Sequence, residues 1–274
     1  MRRGYADTPF GQIHYVEEGR GEPVLLLHQT PRSWDEYRDV LPLLGEHRRA
    51  IAMDTLGFGA SARPQQAWSI ELFADGVVAL CDAIGLPRVS LVGHHTGGVV
   101  ALDVAARLPE RVTALVLSGV PYVDAERRRR VASRPPIDQV DARADGGHLL
   151  ELWRGRESYY PADRPDLKAR LVRDALTVLD RVEEGHEAVN AYRMEERVGQ
   201  VLAPTLILCG ALDTFSRPDM THLKNRIPGA RSALLPETGV PSVDHRPEQF
   251  ARAVAEFLTE CERPTAGAER KGAA

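Results

Sequence analysis

The stretch that decides the fold reads Val89-Ser90-Leu91-Val92-Gly93-His94-His95-Thr96-Gly97, and the apolar segment 98–108 follows it directly. Residues 89–92 predict a buried strand, and residues 98–108 predict a helix that ends before Pro109. Small residues at both ends of the turn between them allow strand and helix to pack closely. We expect the central residue, His95, to adopt a strained backbone conformation that lifts its side chain above the sheet. Histidine suits this position because it is enriched among residues with positive φ.

Apolar runs and helical spacing alternate on both sides of this turn. The predicted strands cover residues 13–16, 24–27, 50–53, 112–117, 205–209 and 233–235, and the predicted helices cover residues 34–44, 70–84 and 247–260. Alternating strands and helices are typical of a mostly parallel sheet that helices cover on both faces. Residues 13–16 alternate in polarity, which predicts an antiparallel strand at the edge of the sheet.

The composition changes between residues 121 and 200, where Arg, Glu and Asp are frequent. Helical stretches are predicted there around residues 147–152, 167–182 and 185–198. We therefore predict a core domain formed by residues 1–120 and 201–263, with residues 121–200 as a mainly helical insertion. The polar segment 264–274 predicts a disordered tail.

The composition argues against several classes of protein. The 274 residues include 35 basic and 39 acidic side chains, and a net charge of −4 is unlike that of a general nucleic-acid binder. The first residues contain no apolar stretch typical of a signal peptide, and no segment is apolar enough to cross a membrane. The three cysteines have no CxxC spacing, which argues against a disulfide or zinc framework. We expect a cytoplasmic globular protein with no membrane or nucleic-acid partner; its oligomeric state is left open.

Several further motifs occur in an order that resembles the α/β-hydrolase family over residues 10–260. The segment 28–31, His-Gln-Thr-Pro, is similar to the family's H-G-x-P loop, and residues 54–61 are similar to its D-x-x-G-x-G-x-S turn. Residues 210–213 resemble the segment that bears the triad acid, and residues 239–250 resemble the loop that bears the triad histidine. The resemblance implies an α/β-hydrolase fold, with a mostly parallel eight-stranded sheet flanked by helices, and it makes residues 121–200 a helical cap.

Two positions depart from the family pattern. His95 stands at the nucleophile position, where the family has Ser, Asp or Cys, and Val240 stands where the family has its triad histidine. The triad acid is present as Asp213. Because the serine and its base are both missing, the family's acyl-serine mechanism cannot be carried over to this chain.

The two departures suggest one hypothesis when they are considered together. An imidazole at position 95 is long enough to extend into the space that Val240 leaves without a ring. Asp213 would orient this imidazole, and His95 would act as general acid and base without a covalent intermediate. The resemblance further implies that the backbone N–H groups of Thr30 and Thr96 form an oxyanion hole.

The remaining polar and aromatic candidates surround this predicted centre. Gln29 replaces the family's glycine, and its amide is a candidate substrate contact together with Trp153 and Tyr159 of the insertion. We expect His94 to pack under the turn and His28 to stabilise its loop by a hydrogen bond, while His245 has the setting of a surface helix start. No metal site is expected, because the histidines lack metal-ligand spacing with carboxylates.

The arginine run at residues 127–130 is the densest cluster of charge in the chain. A run of this kind usually forms the solvated face of a helix, and we predict that structure here. The alternative is a cationic patch that attracts an anionic substrate or carrier, which would make KM depend strongly on salt.

Three functions are compatible with these residues. The first is a cofactor-free enzyme that acts on a small carbonyl-containing substrate through His95 and Asp213, by hydrolysis or by lyase, isomerase or cyclase chemistry. The second is a hydrolase in which His95 is the direct nucleophile and forms an acyl-imidazole. The third is a non-catalytic protein that binds a small ligand on a hydrolase scaffold.

Overall fold

A computed structural model describes residues 1–263, which form an eight-stranded sheet with helices on both faces. The strands are β1 (Arg2–Thr8), β2 (Gly11–Glu18), β3 (Pro23–Leu27), β4 (Arg49–Met53), β5 (Val89–His94), β6 (Val112–Ser118), β7 (Thr205–Gly210) and β8 (Arg231–Leu235). The helices are α1 (Leu41–Gly45), α2 (Ile70–Ala83), α3 (Thr96–Arg107), α4 (Ala125–Val131), α5 (Gly147–Gly155), α6 (Pro165–Leu176), α7 (Glu184–Ala191), α8 (Met220–Arg226), α9 (Ser242–His245) and α10 (Pro247–Glu262).

The strands lie in the order β1-β2-β4-β3-β5-β6-β7-β8. Strands β3 to β8 all run parallel to one another. Strand β2 is antiparallel to both of its neighbours, β1 and β4. The predicted parallel sheet is therefore confirmed. The carboxyl ends of the parallel strands share one edge, and this edge is where an open α/β sheet places its ligand.

The prediction of an edge strand at residues 13–16 is wrong. These residues belong to β2, which lies between β1 and β4, and the edge of the sheet is β1. The sequence of β1 is Arg-Arg-Gly-Tyr-Ala-Asp-Thr, and Ala6 is its one buried residue. A strand with so little buried apolar surface has no periodic hydrophobic signal, which explains why the sequence did not indicate it.

The single helix predicted over residues 34–44 is also wrong. The chain forms a 3-10 turn at Trp34–Tyr37, which the Ser33 side chain caps, and then the separate short helix α1. Pro42 lies in the first turn of α1 and has no N–H to donate to the preceding turn. Continuous helical hydrogen bonding therefore cannot pass through this residue.

Apolar side chains form two large clusters, one on each face of the sheet. One cluster contains residues of α2, α3 and α8, and the other contains residues of α1 and α10. Strand β5 contributes to both clusters and is buried along its whole length. The turn that follows β5 is thus attached to a strand that is packed on both faces.

Helices α4 to α7 all lie between β6 and β7, within the segment 121–200 for which the sequence predicts a helical cap. The helices are shorter than the patterns suggested, because α6 ends at Leu176 and α7 ends at Ala191, and 3-10 turns follow. The segment 264–274, predicted to be disordered, lies outside the described residues. Within residues 1–263, no helix has the length and apolar character needed to cross a membrane.

Candidate active site

His95 occupies the sharp turn between β5 and α3, as the sequence predicts. Its backbone has φ 46° and ψ −111°, a conformation that side chains rarely adopt. The His95 N–H donates to the Ser118 carbonyl oxygen (2.9 Å), which fixes the turn to the neighbouring strand. A Cβ atom on Gly93 would overlap the Gly97 carbonyl, and one on Gly97 would overlap the Leu27 carbonyl. Glycine at both positions is therefore required for the strand and the helix to approach this closely.

The structure brings His95 and Asp213 together. The Nε2 atom of His95 lies 4.0 Å from Oδ2 of Asp213, which follows β7. The other carboxylate oxygen, Oδ1, accepts the backbone N–H groups of Phe215 (2.8 Å) and Ser216 (2.9 Å). Nε2 of His95 is buried and has no hydrogen-bond partner among residues 1–263. The separation is longer than a hydrogen bond, but contacts of this kind commonly tighten when substrate binds.

Gly119 supports this pair from below, and the sequence reasoning missed it. Gly119 follows β6 with φ +57°, and a Cβ atom there would lie 3.2 Å from His95 Nε2 and 3.5 Å from Asp213 Oδ2. Any side chain at position 119 would press on the His95–Asp213 contact. A glycine directly after a buried strand is the sequence signal that could have indicated this close approach.

His94 is buried under the turn, as predicted, and it forms an ion pair that the sequence did not reveal. Its Nδ1 lies 3.0 Å from Oε1 of Glu36, and its Nε2 lies 3.0 Å from the carbonyl oxygen of Val240. Both partners accept hydrogen bonds, so both ring nitrogens of His94 must carry protons. Glu36 in turn accepts bonds from the N–H (2.9 Å) and the side-chain amide (2.7 Å) of Gln29. The geometry therefore assigns an imidazolium and a carboxylate.

The direction of the pKa shifts agrees with this assignment. Burial by itself would raise the pKa of Glu36, but His94, Arg32 and the Gln29 N–H outweigh it and lower the pKa to about 2. Burial would likewise lower the pKa of His94, and the adjacent Glu36 carboxylate raises it above the usual value instead. The pair is thus ionised at neutral pH although both side chains are fully buried.

His95 has the opposite electrostatic environment. Burial lowers its pKa well below 6.5, and the positive charge of the neighbouring His94 lowers the pKa further. The two rings meet edge to face, with centroids 4.8 Å apart. Two histidines adjacent in sequence therefore hold different charges at neutral pH, His94 as a cation and His95 as a neutral imidazole.

A pocket opens above the turn and contains most of the predicted site residues. Its wall is formed by Gln29, Thr30, His95, Thr96, Pro121, Arg127, Ile137, Arg156, Tyr159, His186, Val189, Asn190, Phe215 and Val240. Val240 thus presents an apolar side chain at the position where the resemblance predicted a missing imidazole. Phe215 stacks on His95 with ring centroids 6.1 Å apart, a contact with no counterpart among the sequence predictions.

The predicted substrate contacts have different positions. Tyr159 lines the pocket, whereas Trp153 is outside its wall and packs against the Lys168 ammonium group, 4.4 Å from the ring centroid. Gln29 lines the pocket and its amide nitrogen donates one bond to Glu36, so its role as a substrate contact stays a prediction. The sequence could not show this because the Glu36 side chain becomes its partner only through the fold.

The two predicted oxyanion donors lie side by side in the pocket wall. The backbone N–H of Thr30 is directed at the hydroxyl oxygen of Thr96, at a weak distance of 3.4 Å. Thr96 is the first residue of α3, and N–H groups in the first turn of a helix have no partner within the helix. The arrangement is compatible with an oxyanion hole once the Thr96 hydroxyl releases the Thr30 N–H, and this role remains a prediction.

The other histidines have structural contacts. His28 donates from Nδ1 to the Gln29 carbonyl (2.8 Å) and accepts the Thr55 N–H at Nε2 (3.0 Å), so it stabilises its loop as predicted. His245 is half-buried at the end of α9, where its Nδ1 lies 2.9 Å from the Thr238 hydroxyl, and it is not part of the pocket wall. Neither ring competes with His95 for the catalytic position.

The expectation of a solvated arginine face holds for only part of the run at 127–130. Arg129 and Arg130 on α4 are exposed, and Arg128 pairs with Glu195. Arg127 is different, because its side chain is buried and belongs to the pocket wall. A run of four identical residues gave no sequence signal to separate the inward-facing one from the others.

Comparison with known proteins agrees with this fold. Residues 22–239 match the family described as the alpha/beta hydrolase fold, and the chain belongs to that family. It is 29% identical over 266 residues to haloalkane dehalogenase 2 of Mycobacterium tuberculosis, with 91% of this chain and 92% of that protein covered. It is 40% identical over 107 residues to 2-hydroxymuconate semialdehyde hydrolase of a Pseudomonas species, with 38% of each chain covered.

Solved structures show the same architecture. The enol-lactonase from Burkholderia xenovorans LB400 superposes with a TM-score of 0.77 at 21% identity, covering 93% of this chain and all (100%) of that one. A thermophilic esterase from Thermogutta terrifontis superposes with a TM-score of 0.74 at 25% identity, covering 96% and 100%. The predicted α/β-hydrolase fold is confirmed. The sequence relatives are enzymes of this superfamily that act on small molecules.

Proposed function

We propose that this chain is a cofactor-free enzyme that acts on a small carbonyl-containing organic substrate by proton transfer through His95 and Asp213, without a serine nucleophile. The observation that carries the proposal is the position of His95. Its ring lines the pocket, and its Nε2 faces the Asp213 carboxylate at 4.0 Å.

The pairing with Asp213 defines the role of each ring nitrogen. Asp213 Oδ1 is occupied by two backbone N–H groups, which leaves Oδ2 as the acceptor for a proton on His95 Nε2. The tautomer with its proton on Nε2 has a lone pair on Nδ1. Nδ1 is then the atom that takes a proton from the substrate or from water, and Asp213 stabilises the imidazolium that forms.

The low pKa of His95 supports the role of a base. A general base must be unprotonated at the working pH, and burial together with the His94 charge keeps the His95 ring neutral there. The same environment makes the imidazolium a stronger acid, so it readily returns its proton to a leaving group.

The reaction balances for hydrolysis without any other catalytic group. His95 Nδ1 takes a proton from water, the hydroxide attacks the substrate carbonyl, and the Thr30 and Thr96 N–H groups stabilise the oxyanion. The imidazolium then returns its proton to the leaving group. With a substrate that carries an acidic C–H beside its carbonyl, the same base would produce an enolate instead, which leads to lyase, isomerase or cyclase chemistry.

The relatives support a small organic substrate. Their names refer to a haloalkane and a semialdehyde, and a structural neighbour is named an enol-lactonase.

Catalysis in the cytoplasm is part of the proposal, and it agrees with the three free cysteines of the described chain. Activity on an enol-lactone, an aryl ester and a 1,3-diketone would be the first to assay.

The test compares His95→Ala with a matched control, His47→Ala, which removes an exposed imidazole far from the pocket wall. His95→Ala should lower kcat by at least about two orders of magnitude, and His47→Ala should stay within about twofold. Full activity in His95→Ala would refute the proposal.

Mass spectrometry after acid quenching separates the alternatives, because an acyl adduct on His95 indicates the direct nucleophile. Binding of the substrates with no turnover indicates a non-catalytic protein.

A further inference from the structure

We infer that Arg127 and Arg156 form an anion subsite in the pocket, which binds a carboxylate carried by the substrate. The inference deepens the proposed function, because it names the second functional group of the same molecule. It rests on the proposed function only for the statement that the other group reacts at His95.

The charges in the pocket wall are unbalanced. Among the described residues that line the pocket are two arginines, Arg127 and Arg156, and no aspartate or glutamate. The carboxylates that accompany these arginines, Asp219 and Asp138, are outside the wall. A ligand in the pocket is therefore closer to the positive members of both pairs, although the whole chain has a net charge of −4.

Arg127 is the less completely paired of the two arginines. Its side chain is only 7% exposed, and its Nε is buried without a hydrogen-bond partner among residues 1–263. The nearest carboxylate oxygen, Oδ2 of Asp219, lies 3.5 Å from Nη1 and already accepts the Tyr122 N–H at 3.0 Å. A buried guanidinium is costly unless its donors are paired, and a carboxylate can accept two of them at once.

The electrostatic surroundings of Arg127 favour the binding of an anion. Burial lowers the pKa of its guanidinium, and the opposing effect of Asp219 is insufficient because Arg130 and Arg134 repel the charge. A bound carboxylate would supply the negative charge that the protein does not provide.

Arg156 supplies a fixed second charge. Its Nε and Nη2 both donate to Asp138, and Asp138 also contacts Nε2 of His186 at 2.8 Å. This network holds the guanidinium in one orientation at the pocket wall. The positive charge of Arg156 also lowers the pKa of His95, although burial and His94 lower it more.

Phe215 relates the subsite to the reacting group. Its ring stacks on His95 on one side, with centroids 6.1 Å apart, and the Arg127 guanidinium carbon lies 5.2 Å from the same ring. The proposed base and the proposed anion partner thus contact the same aromatic ring in the wall of one pocket. We therefore expect a small oxo acid or ester acid whose carbonyl and carboxylate belong to one short molecule.

The test uses benzoate and its neutral isostere benzamide, which bind without reacting, in ligand-observed NMR titrations at millimolar concentration. Wild-type protein should bind benzoate at least about tenfold more tightly than benzamide. Arg127→Gln should abolish that preference and change benzamide binding by less than about twofold. Arg129→Gln removes an exposed charge from the same helix and should leave both affinities within about twofold.

Three results would overturn the inference: no benzoate binding, no preference for benzoate in the wild type, or equal loss of both ligands in Arg127→Gln. If Arg127→Gln does not fold, Arg127→Lys provides the same test, because it keeps the charge and loses the two-point contact. It should weaken benzoate binding and leave benzamide binding unchanged.

The two proposals can fail separately. The titrations measure binding and need no turnover. If the wild type prefers benzoate but the His95→Ala variant remains fully active, only the proton-transfer function is refuted. A large loss of kcat in His95→Ala without any preference for benzoate would refute only the anion subsite.

Discussion

The substitution Asp213→Asn tests the His95–Asp213 pair more sharply than deletion of either side chain. Oδ1 of Asp213 accepts two backbone N–H groups, from Phe215 and Ser216. An asparagine must place its carbonyl oxygen at that position, because an NH2 group cannot accept these bonds. The NH2 group then takes the place of Oδ2 and faces Nε2 of His95, so the fold determines the orientation of the new amide.

The reversed polarity should change the tautomer of His95. An amide donor facing Nε2 favours the ring with its proton on Nδ1, which is the atom proposed to take the proton from the substrate. Loss of a positioned general base typically reduces rate by about 10²–10⁴-fold, or about 3–5 kcal/mol of activation free energy. The two backbone contacts survive, so the thermal midpoint should change little.

Steady-state kinetics and long-range ¹H–¹⁵N spectra of the imidazole would check both parts of this expectation. Asp141→Asn, at an exposed aspartate, is the matched control and should retain wild-type kcat. In the double variant with His95→Ala, Asp213→Asn should cost little more, since the two residues act as one unit. A kcat for Asp213→Asn within about threefold of the wild type, or a ring that keeps its proton on Nε2, would refute the mechanism.

The other predictions concern the surroundings of this pair. Because burial and His94 lower the pKa of His95, kcat/KM should stay level from pH 8 to below 6.5 and fall only at more acidic pH; an acid limb centred at 6.5 or above would contradict this. Gly119→Ala places a methyl group 3.2 Å from His95 Nε2 and should lower kcat at least about tenfold, whereas Gly229→Ala, which has φ +70° and open space around it, should lose only stability. Glu36→Gln leaves the buried His94 cation without its counter-charge and should lower the free energy of unfolding in urea by about 3–5 kcal/mol. Glu256→Gln, at an exposed position, is the control. A loss below about 1 kcal/mol in Glu36→Gln would argue against the ion pair. With its pKa lowered from 4.5 to about 2, Glu36 contributes stability that is present above pH 4.5 and is lost as the pH falls towards 2, and the variant should lack this dependence.

The fold could be predicted because its signals are local. Each buried parallel strand is an apolar run, and the β5–α3 turn is marked by glycines that are required for close packing. Strand β1 lacked such a signal because only one of its seven residues is buried. Its place at the sheet edge depends on backbone pairing with β2, which no property of its own sequence reveals.

The site was predictable only where it follows a family pattern. His95 and Asp213 stand at positions of the triad, so their proximity could be expected. Glu36 could not be connected with His94 in advance, because the two positions are 58 residues apart in the chain and Glu36 occurs in no recognised motif. Arg127 was hidden for a different reason: a charged residue is normally exposed, and only the fold shows that this one is buried.

The bond between His94 and the Val240 carbonyl has a consequence for how such a site can evolve. It attaches the last loop to the turn through the backbone, so the side chain at position 240 is free to vary while the loop stays in place. A serine introduced at position 95 alone could not use His94 as its base, since both N–H groups of His94 are committed. On the family pattern, conversion to an acyl-serine enzyme would need two substitutions, His95→Ser and Val240→His. Under the proposed mechanism the first of them alone removes the base without restoring the triad histidine, so the two would have to arise together.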